Sequence, residues 1–571
     1  MLESVSAAYA LVLILLGVLL VFLWRGLYPN PYPGIPYNKE SAGRIGGDTS
    51  AIVALIKELN EFCEAMFTVS TRKLGTPIAQ VLFPSMLRKP LVMLEDPREI
   101  EDIILRRNKE FDKAPTNIDH FRPMFPNGSI THYTTPQLKA QKRLWADIMS
   151  VTFLRKTAAP KIHKAVLELV DLWRLRAGTV SKDRPFSVVG DFENLALDAM
   201  WVSLMGEEPG ITRNETRKIR DQLAGITHKE EARPAADIFR DEVNYISSAI
   251  HTGSQFPLPW FRMYLETFTA RYRQHRRTVE TEIGNVMKKA VERFQHLGAA
   301  GLEAGDMDTC ALDLVLRRQL LNAKKAGKAP TDPTKDQAIV DELLVMITGG
   351  YDSTATALSW FVKLMEAFPA VQTELRGVLK AAFPGPEPPS VAEILESDIP
   401  YLDGACEDVV RLAGTSKGNL RQAVVDTEIL GCPIPKGTEI LFNYHINRTP
   451  APADEATRSA TSRDAAIKRG DGFQGAAGRD LDRLNPRRWL VRDDKTHKEV
   501  FNSNALPSLA FGGGFRGCFG RKLAVMEFRI IAVLLILNFE FLELPNELEN
   551  MTCVEKIFRI PDMAYAKIRA L

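Results

Sequence analysis

Apolar and polar positions divide the chain into an N-terminal apolar run, a proline-rich stretch and a long body patterned mainly with helical spacing. From Val5 to Trp24 there is no charged residue, and Leu, Val and Ala dominate. A run of about 20 such residues is long enough to cross a hydrocarbon core as a helix, so residues 1–28 are expected to form a single transmembrane anchor. Glu3 precedes the run, Arg25 follows it and no small-residue cleavage site is evident. These flanks favour a retained anchor over a cleaved signal peptide and place the rest of the chain in the cytosol. Pro29, Pro31, Pro33 and Pro36 with Gly34 make 29–48 a stiff, extended linker, since proline fixes φ and cannot continue a helix.

From residue 49 onward the spacing predicts helices over Ala51–Val69, Arg98–Arg107, Ala158–Leu175 and Phe268–Gly298. Met200 and Trp201 are expected in the core. Lys335–Phe368 is the longest helical pattern, with Ile339, Val340, Leu343, Leu344, Met346 and Ile347 on one wide face. In its middle stands Gly349-Gly350-Tyr351-Asp352-Ser353-Thr354, where two glycines each cost about 1 kcal/mol relative to alanine. Such a break predicts a kink, a ligand and a functional site in one place. The plain alternative is a helix bent by Ser or Thr bonding back to its own carbonyls.

Tyr401–Arg411 then places Asp408 and Arg411 at i, i+3 on one helix face, which on an exposed helix is worth only a few tenths of a kcal/mol. Arg421–Thr438 reads as strand and turn. Ala451–Gly478, rich in Ala, Asp, Arg and Gly without periodicity, marks a mobile surface insertion within 449–483. After Pro486-Arg487-Arg488-Trp489 comes Phe511-Gly-Gly-Gly-Phe-Arg516-Gly-Cys518-Phe-Gly520-Arg-Lys-Leu-Ala524, and Arg521–Leu537 follows as a helix free of Gly and Pro. The fold class is mainly α with a small β region, organised as one large domain over 49–571.

Composition narrows the function. Lys plus Arg (73) nearly balances Asp plus Glu (71), which gives no electrostatic footprint for a nucleic acid. Cys63, Cys310, Cys406, Cys432, Cys518 and Cys553 show no C-x-x-C or paired spacing, which argues against a disulfide framework and a structural zinc site. Five read as small buried hydrophobes. Cys518 differs, because it lies among glycine N–H donors at a helix N-terminus beside arginine, where the thiolate form is favoured. The same loop also satisfies G-x-G-x-x-G through Gly512, Gly514 and Gly517, with Glu540 downstream to bind a ribose hydroxyl, so dinucleotide binding competes at this point.

Four motifs in this order resemble the cytochrome P450 family of heme-thiolate monooxygenases, over nearly the whole chain. Phe511-x-x-Gly514-x-Arg516-x-Cys518-x-Gly520 fits the family's heme-binding signature at all five fixed positions. The resemblance implies that Cys518 is the proximal ligand of a heme b iron, that Arg516 meets a heme propionate and that Phe511 packs against the cysteine loop. A thiolate ligand tempered by N–H donors has a physical rationale here, whereas dinucleotide binding has no use for Cys518. Gly349-Gly350-x-Asp352-Ser353 resembles the oxygen-binding groove of the family's long distal helix, with Ser353 in place of the usual threonine and Thr354 one position later. Serine can make the same hydrogen bonds but is less fixed at χ1. Asp352, Ser353 and Thr354 are thereby the expected proton-relay residues, and Gly349 and Gly350 line the groove.

The family's Glu-x-x-Arg appears as Asp408-x-x-Arg411, and its arginine partner as Arg488, an expected buried charge network behind the loop. By position alone, Arg143 and Arg421 are further propionate contacts, although Lys139 stands where a tryptophan is usual before the first. The resemblance implies a P450 fold with heme between the distal helix and the cysteine loop. It also implies an apolar small-molecule substrate, and electrons from NADPH through a separate cytochrome P450 reductase on the same endoplasmic reticulum membrane. Asn117–Tyr133, the Phe239–Phe268 region and Ile560–Ala564 are expected to wall the substrate pocket, in a role suited to fungal secondary metabolism. The rival functions are a reductase-independent isomerase or dehydratase on the same fold, and a heme-binding sensor without turnover.

Overall fold

The computed structural model describes residues 2–226, 235–254, 258–295, 308–327, 332–469 and 480–571. The expected helix end at Gly298, residues 255–257 of the expected pocket wall and residues 470–479 of the insertion lie outside them. Helix α1 spans Leu2–Gly26. From Leu13 to Trp24 every large apolar side chain is exposed. Among the described residues no helix meets the length and apolarity needed to cross a membrane.

Residues 29–48 are tied to the body and do not behave as a free spacer. Gln80, on strand β1 (Ile78–Val81), bonds through its side chain to Tyr32 N, Tyr32 O and Ile35 O, each at 2.9 Å. The Gln80 N–H also donates to Pro36 O at 2.8 Å. One buried amide thus satisfies backbone groups that the prolines leave unpaired.

Strand β1 opens a five-stranded sheet with β2 (Leu91–Leu94), followed by helix α2 (Pro97–Leu105) and strand β3 (Phe111–Lys113). Asp96 starts α2 by accepting from Glu99 N at 2.8 Å, with Pro97 in the first turn. Helices α3 (Pro136–Leu144), α4 (Ala159–Gly178), α5 (Val189–Met205), α6 (Ala235–Ser254) and α7 (Pro259–Glu266) lead to the long α8 (Gln337–Ala367). After α9 (Pro400–Ala413), strands β4 (Gly418–Ala423) and β5 (Glu439–Asn443) complete the sheet in the order β1-β2-β5-β4-β3. Helices α10 (Ala460–Arg469) and α11 (Arg521–Asn538) precede the hairpin β6 (Cys553–Glu555) and β7 (Arg559–Pro561). The main core joins α4, α5, α8, α9 and α11, and includes Trp173, Phe361 and Ile531.

Two expectations need correction. The helix predicted over Ala51–Val69 breaks at Asn60, whose φ of 56° is left-handed and ends the first segment at Leu59. More consequential is the 449–483 insertion, whose described part is folded and docked. Arg458 is buried and pairs bidentately with Asp96, both contacts 2.7 Å. Arg98 meets Glu455 at 2.6 Å, Arg469 meets Glu101 at 2.5 Å, and Ser459 and Thr461 donate to Asp102 at 2.6 and 2.8 Å. Composition without periodicity read as solvated chain, but its charges have their complement on the acidic face of α2, far away in sequence. Arg458→Ala should cost about 3–5 kcal/mol through the unpaired buried carboxylate left on Asp96. It should also open residues 452–469 to protease, which limited proteolysis against wild type would show.

Candidate active site

Residues 511–520 fold back on themselves against the end of α2. Gly512 and Gly514 both sit at φ of 61°, a region that side chains disfavour. A Cβ on Gly514 would also overlap the carbonyl oxygen of Ile104 at the end of α2. Cys518 N donates to Phe511 O at 2.8 Å, and the Arg521 guanidinium lies 5.7 Å from the Phe511 ring. Cys518 is the one exposed cysteine of the six, standing just ahead of α11 and within 4.0 Å of where a Gly520 Cβ would lie. Its thiol is accessible yet flanked by protein, and burial pushes its pKa up despite the Gly520 and Arg521 N–H groups and the Lys142 and Arg521 charges. The helix-end argument alone predicted the opposite shift, because it ignored the desolvation of the loop.

Beside this loop gather four cations, of which Arg516 pairs with a carboxylate. Arg516 binds Asp112 Oδ1 through Nε at 3.1 Å and NH2 at 2.9 Å, and also Thr134 Oγ1 at 2.8 Å and His132 O at 2.9 Å. Lys142 donates to Phe515 O at 2.6 Å over the Phe515 ring. Lys113 and Arg421 are direct cross-strand partners in the β3–β4 ladder, an arrangement that like charges ordinarily disfavour. Burial, with Arg421, Arg516 and Lys142, pushes the Lys113 ammonium well below its usual range. Nearby, the buried Tyr444 hydroxyl has no hydrogen-bond partner among the described residues and lies 3.5 Å from where a Gly512 Cβ would stand. Excess buried positive charge and an orphaned hydroxyl fit a dianionic group placed against the cysteine loop.

Arg143 is not part of that cluster. Leu138 and Trp145 are buried and set the inner face of the α3 segment, which also carries Lys142, whereas Arg143 turns outward and is exposed. The helical period, anchored on Leu138 and Trp145, would have found Lys142. Nothing in the sequence pattern flags Lys113 or Tyr444, since both acquire their setting from strand pairing.

Helix α8 runs unbroken through Gly349–Thr354. Ser353 Oγ donates to Gly349 O at 2.6 Å, which keeps the hydroxyl on the helix's own backbone. Gly349 is exposed within an otherwise largely buried helix, with no atom near the place of a Cβ, while Gly350 is pressed against Met200 of α5. Asp352, Ser353 and Thr354 are each partly buried. Burial pushes the Asp352 pKa up to about 6, against Lys556 and the Ser247 hydroxyl, which pull it down.

Asp408, Arg411 and Arg488 meet in the interior. Asp408 Oδ1 accepts from Arg411 Nε at 2.8 Å and Trp489 Nε1 at 2.9 Å and forms an ion pair with Arg488 Nε at 3.1 Å, and Oδ2 accepts from Asn485 N at 2.7 Å. Arg411 NH1 reaches the Ile446 and Leu481 carbonyls, each at 2.5 Å. The shorter aspartate needs no bridging water here because Trp489 and the Asn485 backbone come to it.

The cytochrome P450 family model matches residues 51–451 and 482–567. The chain belongs to that family. The unmatched stretch between the two blocks includes the described residues that dock on α2. A cytochrome P450 monooxygenase of Fusarium sporotrichioides, TRI13, is 28% identical over 98% of this chain and 98% of its own length. The P450 monooxygenase xilC of Penicillium rubens is 30% identical over 94% of this chain and 92% of its own. The crystal structure of the cytochrome P450DA heme domain superposes with a TM-score of 0.63 at 16% identity, covering 95% of this chain and 97% of that one, and it shares the fold. The protein is a P450 monooxygenase of the fungal kind, and the family implies a heme-thiolate centre.

Proposed function

We propose that the protein hydroxylates or otherwise oxidises an apolar organic molecule in fungal secondary metabolism, as a membrane-anchored enzyme supplied with electrons by a separate NADPH-dependent reductase. The observation that carries this reading is the exposed Cys518 on its glycine loop beside an excess of buried cations. A heme bound there supplies the iron at which O2 is activated with two external electrons. Cys518 would ligate it, and Arg516, Lys142, Arg421 and Lys113 would hold its two carboxylates. Gly349 leaves room for a small molecule against α8, and Asp352 and the Ser353 hydroxyl hold and pass protons at Oδ and Oγ. The reduced carbon monoxide complex should show the red-shifted band of thiolate ligation, and NADPH should drive oxygen consumption only when the reductase is present. Turnover without NADPH would overturn the monooxygenase reading.

Asp352 has a pKa of about 6 against an ordinary 3.8, so it can take up and release a proton near neutral pH. Asp352→Asn should slow turnover by about 100-fold. The same shift has a stability signature. The folded protein keeps the Asp352 proton where the unfolded chain has lost it, so wild type should lose on the order of 2 kcal/mol as pH rises from about 4 to about 6. Denaturant titrations of the Asp352→Asn variant should lack that loss.

Residues 1–28 are read as the anchor in the endoplasmic reticulum membrane, with the catalytic domain on the cytosolic side. The apolar run from Val5 to Trp24, the uncovered side chains from Leu13 to Trp24 and the exposed Trp260, Phe261 and Tyr264 of α7 support this. The full chain should sediment with membranes, and a chain lacking residues 1–28 should be released in larger part by salt. Equal retention of both would remove the anchor assignment.

A further inference from the structure

Residues 452–481 lie between the two blocks that match the family, yet the described part of this stretch grips the helix that backs the cysteine loop. Arg458 holds Asp96 at the start of α2 through two contacts of 2.7 Å. In the last turn of α2, Ser459 and Thr461 donate to Asp102 Oδ2 at 2.6 and 2.8 Å, and Arg469 reaches Glu101 at 2.5 Å. One segment therefore holds both ends of α2. Arg458, Asp96 and Asp102 are all buried, so these contacts hold far more firmly than a surface ion pair would.

The same last turn supports the loop. The Ile104 carbonyl oxygen lies against Gly514 so closely that no Cβ fits there, and Leu105 Cδ2 and Ile104 Cδ1 are 2.7 and 3.1 Å from where a Gly513 Cβ would stand. Both glycines lie just ahead of Cys518 and have no side chain with which to anchor themselves. Arg516 ties the loop to Asp112 and His132 O, each at 2.9 Å, and α2 adds a second support. Arg107, just past α2, bonds to Glu110 and Thr427 at 2.8 and 2.9 Å. The helix thus keeps a tether of its own, and release of the segment loosens α2 without setting it free.

We infer that residues 452–469 are a strap that positions the Cys518 loop through α2, with Arg458, Ser459 and Thr461 as its positioning residues. The guanidinium on Asp96 and the two hydroxyls on Asp102 limit how far α2 can move. Close packing passes that restraint on, because the contact between Ile104 O and Gly514 leaves no slack. The strap thereby keeps the Gly520 and Arg521 N–H groups beside the Cys518 sulfur, where they favour the thiolate. This rests on the reading of Cys518 as the heme ligand.

The test uses the full-length holoenzyme and two readouts. Hydrogen–deuterium exchange follows the 511–520 amides in the ferric protein, and absorption follows how fast the red-shifted band of the reduced carbon monoxide complex is lost. Arg458→Ala should speed both by about ten-fold, and Arg458→Lys should restore much of the difference. The double variant Ser459→Ala/Thr461→Ala removes only the Asp102 contacts and should move both in the same direction, which keeps the test decisive where Arg458→Ala fails to fold. As a control, Arg176→Ala breaks the 2.9 Å ion pair with Asp191 between α4 and α5 and should leave both at wild-type values. Wild-type loop exchange in the double variant, or equal acceleration in Arg176→Ala, would overturn the inference. A wild type without the red-shifted band would sink the ligand reading, while exchange of 511–520 would still decide whether the strap holds the loop.

Discussion

Cys518→Ala should give a folded protein that shows no red-shifted band in its reduced carbon monoxide complex and no NADPH-driven turnover. The loop's conformation does not depend on the thiol. It is held by Gly512 and Gly514 in left-handed backbone, by the Cys518 N to Phe511 O bond and by the close fit of Gly514 under Ile104. All of these survive truncation of the side chain. What is lost is the one accessible sulfur in a site with no other cluster of three or more His, Cys, Asp or Glu among the described residues. Because burial raises the Cys518 thiol, metal binding must expel its proton, so loading should weaken as pH falls. A persistent thiolate band in Cys518→Ala would refute the ligand assignment.

Arg411→Ala should prevent recovery of heme-loaded protein altogether. Removing one partner of a buried ion pair typically costs about 3–5 kcal/mol, against a total stability of about 5–15 kcal/mol for a typical domain. Here the loss is compounded. Asp408 keeps a buried charge, and the carbonyls of Ile446 and Leu481 lose their donor. These carbonyls belong to segments leading from β5 and toward the Pro486–Trp489 turn, so the change unties three parts of the chain at once. Heme content and the thermal midpoint of purified Arg411→Ala report the outcome. Full heme content with wild-type melting would show that the network is dispensable.

Local chemistry was the most legible part of the site. The cysteine loop could be read because its glycines answer to backbone geometry and its cysteine to a single function, both local properties. The Asp408–Arg411 spacing was equally plain, but its weight was not. Exposed, the pair is worth little; buried with Arg488 and Trp489 it holds the interior together. Arg143 was the choice by position alone, yet choosing Lys142 over Arg143 required the helix phase that Leu138 and Trp145 set on packing. The glycine pair in α8 signalled a special position, and the helix continues through it. The Ser353 hydroxyl satisfies Gly349 O from within an intact helix.

By itself the sequence determined the helical body, the family, the thiolate candidate and the acidic residue of α8, because each is written in spacing or in a residue type with one use. Only the tertiary structure decided which charges meet. The pairing of Lys113 with Arg421 and the seating of the 449–469 segment on α2 join residues distant along the chain. Electrostatic energies depend on separation and burial in space, and neither quantity is carried by sequence distance.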